Sequence, residues 1–291
     1  MRIPGGVRTA ITGVGWAVAG PDFPPETELT RRGMRHKDRA SRFALLAAER
    51  ALQDAGLLGA LELGTAAVVL SSNFGNLDTV CDFMATIATT SSSDLSPVRM
   101  PSLGSQITAA WVALQHGIGG PNLTLCNGAS GGLDAVAWAS NLIAANRATA
   151  ALVLGVEPDT PQVARLHTET GGVRWIDGAV GLVIEPVPEA VSRGARLRAE
   201  INSYGRGDDE RSALAAAGVS PAWRRLGGEL TARFGRCSGA LGVVQCALAA
   251  EQTDHDDAVV AVAGTGAGES DETSVSALVL TPRRGGPDDH R

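Results

Sequence analysis

The residues best placed to do chemistry lie in Gly117–Ala135, GIGGPNLTLCNGASGGLDA. A glycine turn leads into a short apolar strand, then Cys126, then Gly128-Ala129-Ser130-Gly131-Gly132, then an apolar run with helical spacing. A strand that breaks on glycines into a helix aims free N–H groups and the positive dipole end at whatever reacts there. Such a terminus lowers a thiol pKa, or holds the negative oxygen formed in acyl transfer. Two candidate nucleophiles stand in it. Gly128 to Gly132 matches the G-x-S-x-G elbow of serine hydrolases, and Cys126 lies two residues before it. The bland assignments are Ser130 as a helix cap and Cys126 as a packed strand thiol. In a chain with 36 glycines, the elbow pattern also arises readily by chance.

A base for either nucleophile is hard to find. His116 and His167 are the first-half candidates, and His116 reads as a helix-end residue. No histidine occurs between His167 and His255; His255 sits in the acidic turn Asp254-His-Asp-Asp257, and His290 is in the polar tail. A second glycine cluster, Gly13-Val14-Gly15, lacks the third glycine of a dinucleotide fingerprint, where Val18 stands, and runs into a proline loop. These are expected to be turn glycines, and no cofactor is expected. Cys81, Cys126, Cys237 and Cys246 form no C-x-x-C pair or zinc spacing. They read as reduced, mostly buried thiols of a cytoplasmic protein, with no metal site.

The elements that must position these residues follow from periodicity. Strands are expected at Val7–Gly15, Thr65–Ser71, Leu123–Cys126, Ala150–Gly155 and Ala179–Pro186, and again at Arg196–Tyr204, Ala258–Ala263 and Ser274–Leu280. Helices are expected at Asp38–Ala55, Ile107–Gly117, Gly131–Asn146 and Gly239–Gln252. Thr86–Leu103, rich in Ser and Thr with Pro97 and Pro101, reads as a loop. The alternation predicts an α/β fold with a largely parallel sheet.

Composition narrows the function. The 291 residues are 44% hydrophobic, 19% charged and only 4% aromatic, so the core must be built from Ala, Val, Leu and Ile. That excludes a disordered chain and an aromatic base-stacking platform. The formal charge of −6 argues against a nucleic-acid-binding face. No apolar run approaches the ~20 residues of a membrane span. Arg2 and Arg8 before Ala10–Gly20 weakly mimic a secretory leader, but Thr12, Gly13 and Gly15 interrupt the run, and a buried first strand is expected instead.

With these pieces in order, the chain resembles the β-ketoacyl synthases of the condensing-enzyme, thiolase-like family. The resemblance rests on Ala10-Ile-Thr-Gly-Val-Gly15, on Lys37-Asp-Arg-Ala-Ser-Arg-Phe and the helix through Leu52-Gln-Asp-Ala-Gly-Leu57, and on Gly120-Pro-Asn-Leu-Thr124. It continues through Ser130-Gly-Gly-Leu-Asp-Ala135, Gly155-Val-Glu157 and Gly235-Arg-Cys-Ser-Gly-Ala240. It implies a layered αβαβα fold with two pseudo-equivalent halves, 1–187 and 195–282, the second shortened, and a tail at 283–291. The shortening is expected between about Tyr204 and Leu230 and around Gly171–Asp177.

The family's chemistry does not carry over with the scaffold. The family's acyl-accepting cysteine falls at Ala129, whose methyl cannot form a thioester. One of its histidines falls at Arg236 and the histidine-glycine-threonine-glycine segment is absent, while the lysine falls near Thr231. Gly264-Thr265-Gly266 stands where a phenylalanine between glycines is usual. The resemblance therefore implies a non-condensing subunit, similar to the chain-length factors of type II polyketide synthases. Its expected partners are an active ketosynthase, as a heterodimer, and acyl carrier protein, with acyl-thioesters as possible ligands; Thr79–Trp111 would help form the interface. The rivals are an acyltransferase or thioesterase using Ser130 or Cys126, and a homodimeric acyl-binding protein.

Overall fold

The computed structural model describes residues 7–20, 34, 36–166, 174–219, 224–226, 230–252, 258–264 and 274–283. The first half runs β1 (Thr9–Val18), α1 (Arg39–Asp54), β2 (Ala67–Ser71), α2 (Leu77–Thr89), α3 (Ile107–His116) and β3 (Asn122–Leu125). It continues with α4 (Gly131–Ala144), β4 (Ala151–Glu157), α5 (Pro161–Leu166), β5 (Gly178–Pro186) and α6 (Val187–Ser192). The second half runs β6 (Ala199–Gly207), α7 (Glu210–Ala217), β7 (Arg224–Leu226) and α8 (Leu230–Phe234), then α9 (Leu241–Glu251), β8 (Val259–Gly264) and β9 (Val275–Pro282).

The strands form one sheet in the order β3-β2-β4-β5-β1-β6-β9-β8-β7. Read outward from the β1–β6 pair, the halves match: β1, β5, β4, β2 on one side correspond to β6, β9, β8, β7 on the other. The directions match too. The β1–β5 and β5–β4 pairs are antiparallel, as are β6–β9 and β9–β8, whereas β4–β2 and β8–β7 are parallel. The first half extends further, through β3 parallel to β2, whereas among the described residues the second half ends at β7. The sheet is mixed rather than largely parallel. Among the described residues the connection from β4 to β5 holds the short α5, and β5 enters antiparallel.

Alternation along the strands builds the layers. Val69, Val153, Leu278 and Leu280 face a central core with Leu133, Val136, Val243 and Val244 of α4 and α9. Val68, Leu70, Leu152 and Leu154 face the opposite way, onto Phe43, Leu46 and Leu52 of α1 and Val112 of α3. In the second half Val260, Ala277 and Val279 meet Ala213 and Ala217 of α7. Outer helices, the first-half strands, the central helices, the second-half strands and an outer helix give five layers, the two β layers being the two halves of one sheet joined at β1–β6; this is an αβαβα fold with two pseudo-equivalent halves.

Small residues set the layer spacing. A Cβ on Gly13 would lie 2.3 Å from the Ala51 carbonyl oxygen, and one on Gly15 would lie 2.2 Å from that of Ala47. Both glycines sit within β1, against α1, so they are close-packing strand glycines and not turn glycines. At the centre, a Cβ on Gly132 would lie 2.8 Å from the Gly242 nitrogen, and one on Gly242 would lie 2.3 Å from the Leu133 nitrogen. These glycines let α4 and α9 cross almost backbone to backbone. Asp38 caps α1, accepting from the Ser41 nitrogen at 2.7 Å, and Gly56 ends that segment at φ +70°. Thr86–Leu103, expected as a loop, contains the end of α2 and two 3-10 turns, Ser92–Asp94 and Pro97–Leu103. No described helix is long and apolar enough to cross a membrane.

Candidate functional site

The central strands deliver their C-terminal ends to one place. β2 ends at Ser71 and continues as Ser72, Asn73 and Phe74; β4 ends at Glu157; β3 ends one residue before Cys126. Between β3 and α4 lies a 3-10 turn, Gly128–Ser130, with Ala129 at its middle. A matching 3-10 turn, Ser238–Ala240, leads into α9 in the second half. Neither α4 nor α9 has a side-chain cap at its N-terminus.

Glu157 ties these pieces together. Its Oε1 accepts from the Asn73 nitrogen at 2.9 Å and the Gly239 nitrogen at 2.9 Å; its Oε2 accepts from the Phe74 nitrogen at 3.1 Å and pairs with Ser72 Oγ at 3.4 Å. Burial pushes this carboxyl up to about 7, with the N–H donors pulling the other way. Asn73 completes the link. Its Oδ1 accepts from the Gly128 nitrogen at 3.1 Å, and its Nδ2 donates to Ser238 Oγ at 2.7 Å. Ser238 adopts φ +43°, a region side chains seldom enter, and this contact holds it there.

A second polar centre lies one turn into α4. Asp134, buried in the first turn, accepts from Tyr204 Oη of β6, from Ser276 Oγ of β9 at 2.6 Å, from Arg206 Nη1 at 2.6 Å and from Asn127 Nδ2 at 2.5 Å. Second-half strands thus hold the first turn of α4 through Asp134, and Asp134 in turn holds Asn127, which opens the loop to Ala129. The Tyr204 hydroxyl, buried beside a carboxylate, has its pKa pushed well up and stays a donor.

The Beta-ketoacyl synthase, N-terminal domain family model matches residues 12–173. This chain belongs to the β-ketoacyl synthase family. The 3-oxoacyl-[acyl-carrier-protein] synthase 2 of Coxiella burnetii is 24% identical over 211 residues, covering 65% of this chain and 51% of that protein. The putative polyketide beta-ketoacyl synthase 2 of Streptomyces virginiae is 27% identical over 237 residues, covering 69% of this chain and 58% of that protein. The matches thus span about half the length of these curated relatives. Among solved structures, the ishigamide ketosynthase/chain length factor superposes with a TM-score of 0.78 at 21% identity, covering 95% of this chain and 99% of that one. The type II polyketide synthase complex AntDE:AntF gives 0.77 at 16% identity, covering 96% and 100%. At these identities the structures establish the thiolase-like ketosynthase fold.

Within this ketosynthase scaffold, Ala129, expected to stand at the family's cysteine position, sits in the turn that opens α4. Arg236 precedes the partner turn. Its backbone pairs with 174–176, donating to the Arg174 carbonyl and accepting from the Ile176 nitrogen, both at 2.9 Å, and its guanidinium lies 5.8 Å from the Trp175 ring centre. Thr231, near which the resemblance places the family's lysine, is exposed on α8.

The two candidate nucleophiles differ from their expected settings. Ser130 is fully buried and does not cap α4; its hydroxyl donates to the Asn127 carbonyl at 3.0 Å and lies 3.4 Å from Ser274 Oγ. Cys126 is not a packed strand thiol: it follows β3 and is exposed as a residue, although partial burial of its thiol, and then the Glu157 charge, push its pKa up. Cys237, buried near Glu157, is pushed up to about 12, first by burial and then by that carboxyl. His116 ends α3 as expected, with burial lowering its pKa. His167, His255, His290, Thr265 and Gly266 lie outside the described residues.

Glu157, Asp134 and Asn73 are the site residues that motif reasoning passed over. The signal for two of them was visible: a carboxylate closing the apolar strand ALVLGV, and another inside the apolar helix start GGL-Asp134-AVA. Asn73 carried no sequence signal, because its role depends on two partners more than 50 residues away.

Proposed function

We propose that this chain is a non-condensing, ketosynthase-like subunit that pairs with an active β-ketoacyl synthase in polyketide or fatty-acyl chain biosynthesis. Its role is chain-length-factor-like: it shapes the acyl path while the partner supplies the cysteine and histidines, and acyl carrier protein delivers the thioester. The observation that carries this reading is Ala129. The scaffold around the helix terminus is built, with Glu157, Asn73 and Asp134 in place, yet the residue at the reacting position is a methyl group. Arg236 at the histidine position removes the matching base.

Two further observations support it. Ser130, the nearest hydroxyl, is buried and already donates its proton to a carbonyl, so it lacks the access a displaced nucleophile needs. The surface of α2 and the following turns exposes Met84, Ile87, Val98 and Met100, an apolar face suited to a partner subunit. The solved neighbours include a ketosynthase/chain length factor and a type II acyl-carrier protein in complex with its ketosynthase, the kinds of partner proposed here.

The test is to purify the chain alone and together with a candidate ketosynthase, then assay condensation on acyl and malonyl carrier-protein thioesters. The expected result is no condensation by the chain alone, and product only from the pair. Condensation by the isolated chain, blocked by thiol alkylation, overturns the proposal.

A further inference from the structure

Glu157 bridges segments from the two halves of the fold. The loop after β2 brings the Asn73 and Phe74 nitrogens and the Ser72 hydroxyl, and the turn before α9 brings the Gly239 nitrogen. Apart from these links and Asn73 to Ser238, the seam is lined by glycine: a Cβ on Gly239 would lie 2.9 Å from Glu157 Oε1 and 3.2 Å from Ser72 Cα. The carboxyl is therefore both the tie across the seam and a group sealed from water by it.

The partner set satisfies either protonation state. In the neutral acid, Oε1 is the carbonyl oxygen and takes two N–H donors, while Oε2 accepts from Phe74 and donates its proton to Ser72 Oγ. In the anion, the Ser72 hydroxyl turns and donates instead. No partner need be lost, but the anion bears the cost of being held away from water, and only separation of the two segments relieves it. Among the described residues, the titratable groups whose pKa values the Glu157 charge raises are the thiols of Cys126 and Cys237. Arg236, the cation closest along the chain on the second-half side, lies over Trp175.

We propose that Glu157 is a proton-dependent latch across this seam: neutral, it holds the loop after β2 against the turn Ser238–Ala240; ionised, it favours their separation at the N-terminus of α4. Burial places the carboxyl's midpoint at about 7, inside the range where such a latch responds. The sign follows from linkage. The closed seam binds the proton more tightly than an opened, hydrated one, so raising the pH through neutrality shifts the balance toward opening. The latch requires neither a partner subunit nor an acyl ligand, and stands apart from the subunit role proposed above.

The experiment uses the full chain, labelled with carbon-13 glutamate and titrated from pH 5.5 to 8.5 by NMR. Hydrogen exchange is measured over the same range, corrected for intrinsic rates and referenced to amides of β4. One carboxyl is expected to titrate near pH 7, with protection at Asn73, Phe74 and Gly239 falling about tenfold or more at the same midpoint. The Glu157→Gln variant should lose that resonance and keep pH-independent protection at Asn73 and Gly239, while Phe74 loses protection throughout, because an amide NH2 cannot accept its N–H. Absence of a carboxyl titrating between pH 6 and 8 overturns the latch, as does protection that stays flat across the titration. If the variant fails to fold, coincidence of the two midpoints in the native chain decides alone.

Discussion

At the scale of single residues, the site is a scaffold held by the buried carboxylates Glu157 and Asp134 around the turn that carries Ala129. Asp134 receives four donors from three other segments, so its removal strands the Tyr204 and Ser276 hydroxyls and frees the Asn127 loop. Asp134→Ala should lower stability by about 3 kcal/mol, read by urea denaturation, with part of the Arg206 charge relieved by solvent. Glu157 gives the chain a signature in pH. Its pKa in the folded chain, about 7, lies above the ordinary carboxylate value of 4.5. The associated stability is fully present below the unfolded pKa and is lost as pH rises through the folded one. That contribution is on the order of 3 kcal/mol, and stability measured in the Glu157→Gln variant should lose this slope between pH 4.5 and 7. That residue 129 is alanine is read directly from the sequence, and the resemblance expects the family's cysteine there because the flanking motifs align without a gap. Glu157 and Asp134 were legible only as anomalies, since a charge in an apolar run shows that partners exist but not which ones.

At the scale of elements, the accuracy of the sequence expectations follows how each element is held. α1, expected at Asp38–Ala55, spans Arg39–Asp54, because a cap, an apolar face and a glycine stop agree. α2 was missed: it buries only Thr79 and Phe83, so it carries too little apolar periodicity to register. α7 was missed although Asp209 and Ser212 form a capping box, because its buried face is two alanines. The contact between α4 and α9 is the element-level feature most exposed to mutation. Gly132→Ala would press a methyl against the Gly242 and Val243 nitrogens, at 2.8 and 2.9 Å, and neither can move without shifting a helix. A loss of about 2 kcal/mol or more is expected, measured by thermal or urea unfolding. Gly15→Ala in β1 should cost at least as much, since Ala47 and Ala51 backbone atoms stand 2.2 and 2.4 Å away.

At the scale of the whole molecule, the fold is an unequal pair. The sheet's first-half side ends in β3, an edge strand, and the first half also carries a surface where Met84 and Val98 are 62% and 61% exposed. If this face receives the ketosynthase partner, Met84→Asp and Val98→Asp together should abolish the complex in size-exclusion light scattering. They should leave the chain's own unfolding midpoint nearly unchanged, because neither side chain is buried in it. Periodicity alone gave the α/β class, the resemblance carried by the motifs implied the αβαβα layering, and the alanine at position 129 is read directly from the chain. These depend on local pattern and on residue identity, which a linear chain displays directly. Strand direction, the continuous sheet through β1 and β6, the glycine crossing of α4 and α9, and the partners of Glu157 and Asp134 were decided only by the tertiary structure. Each depends on contacts between residues far apart along the chain, and neither hydrophobic periodicity nor local motifs carry information about which distant backbone a buried group will meet.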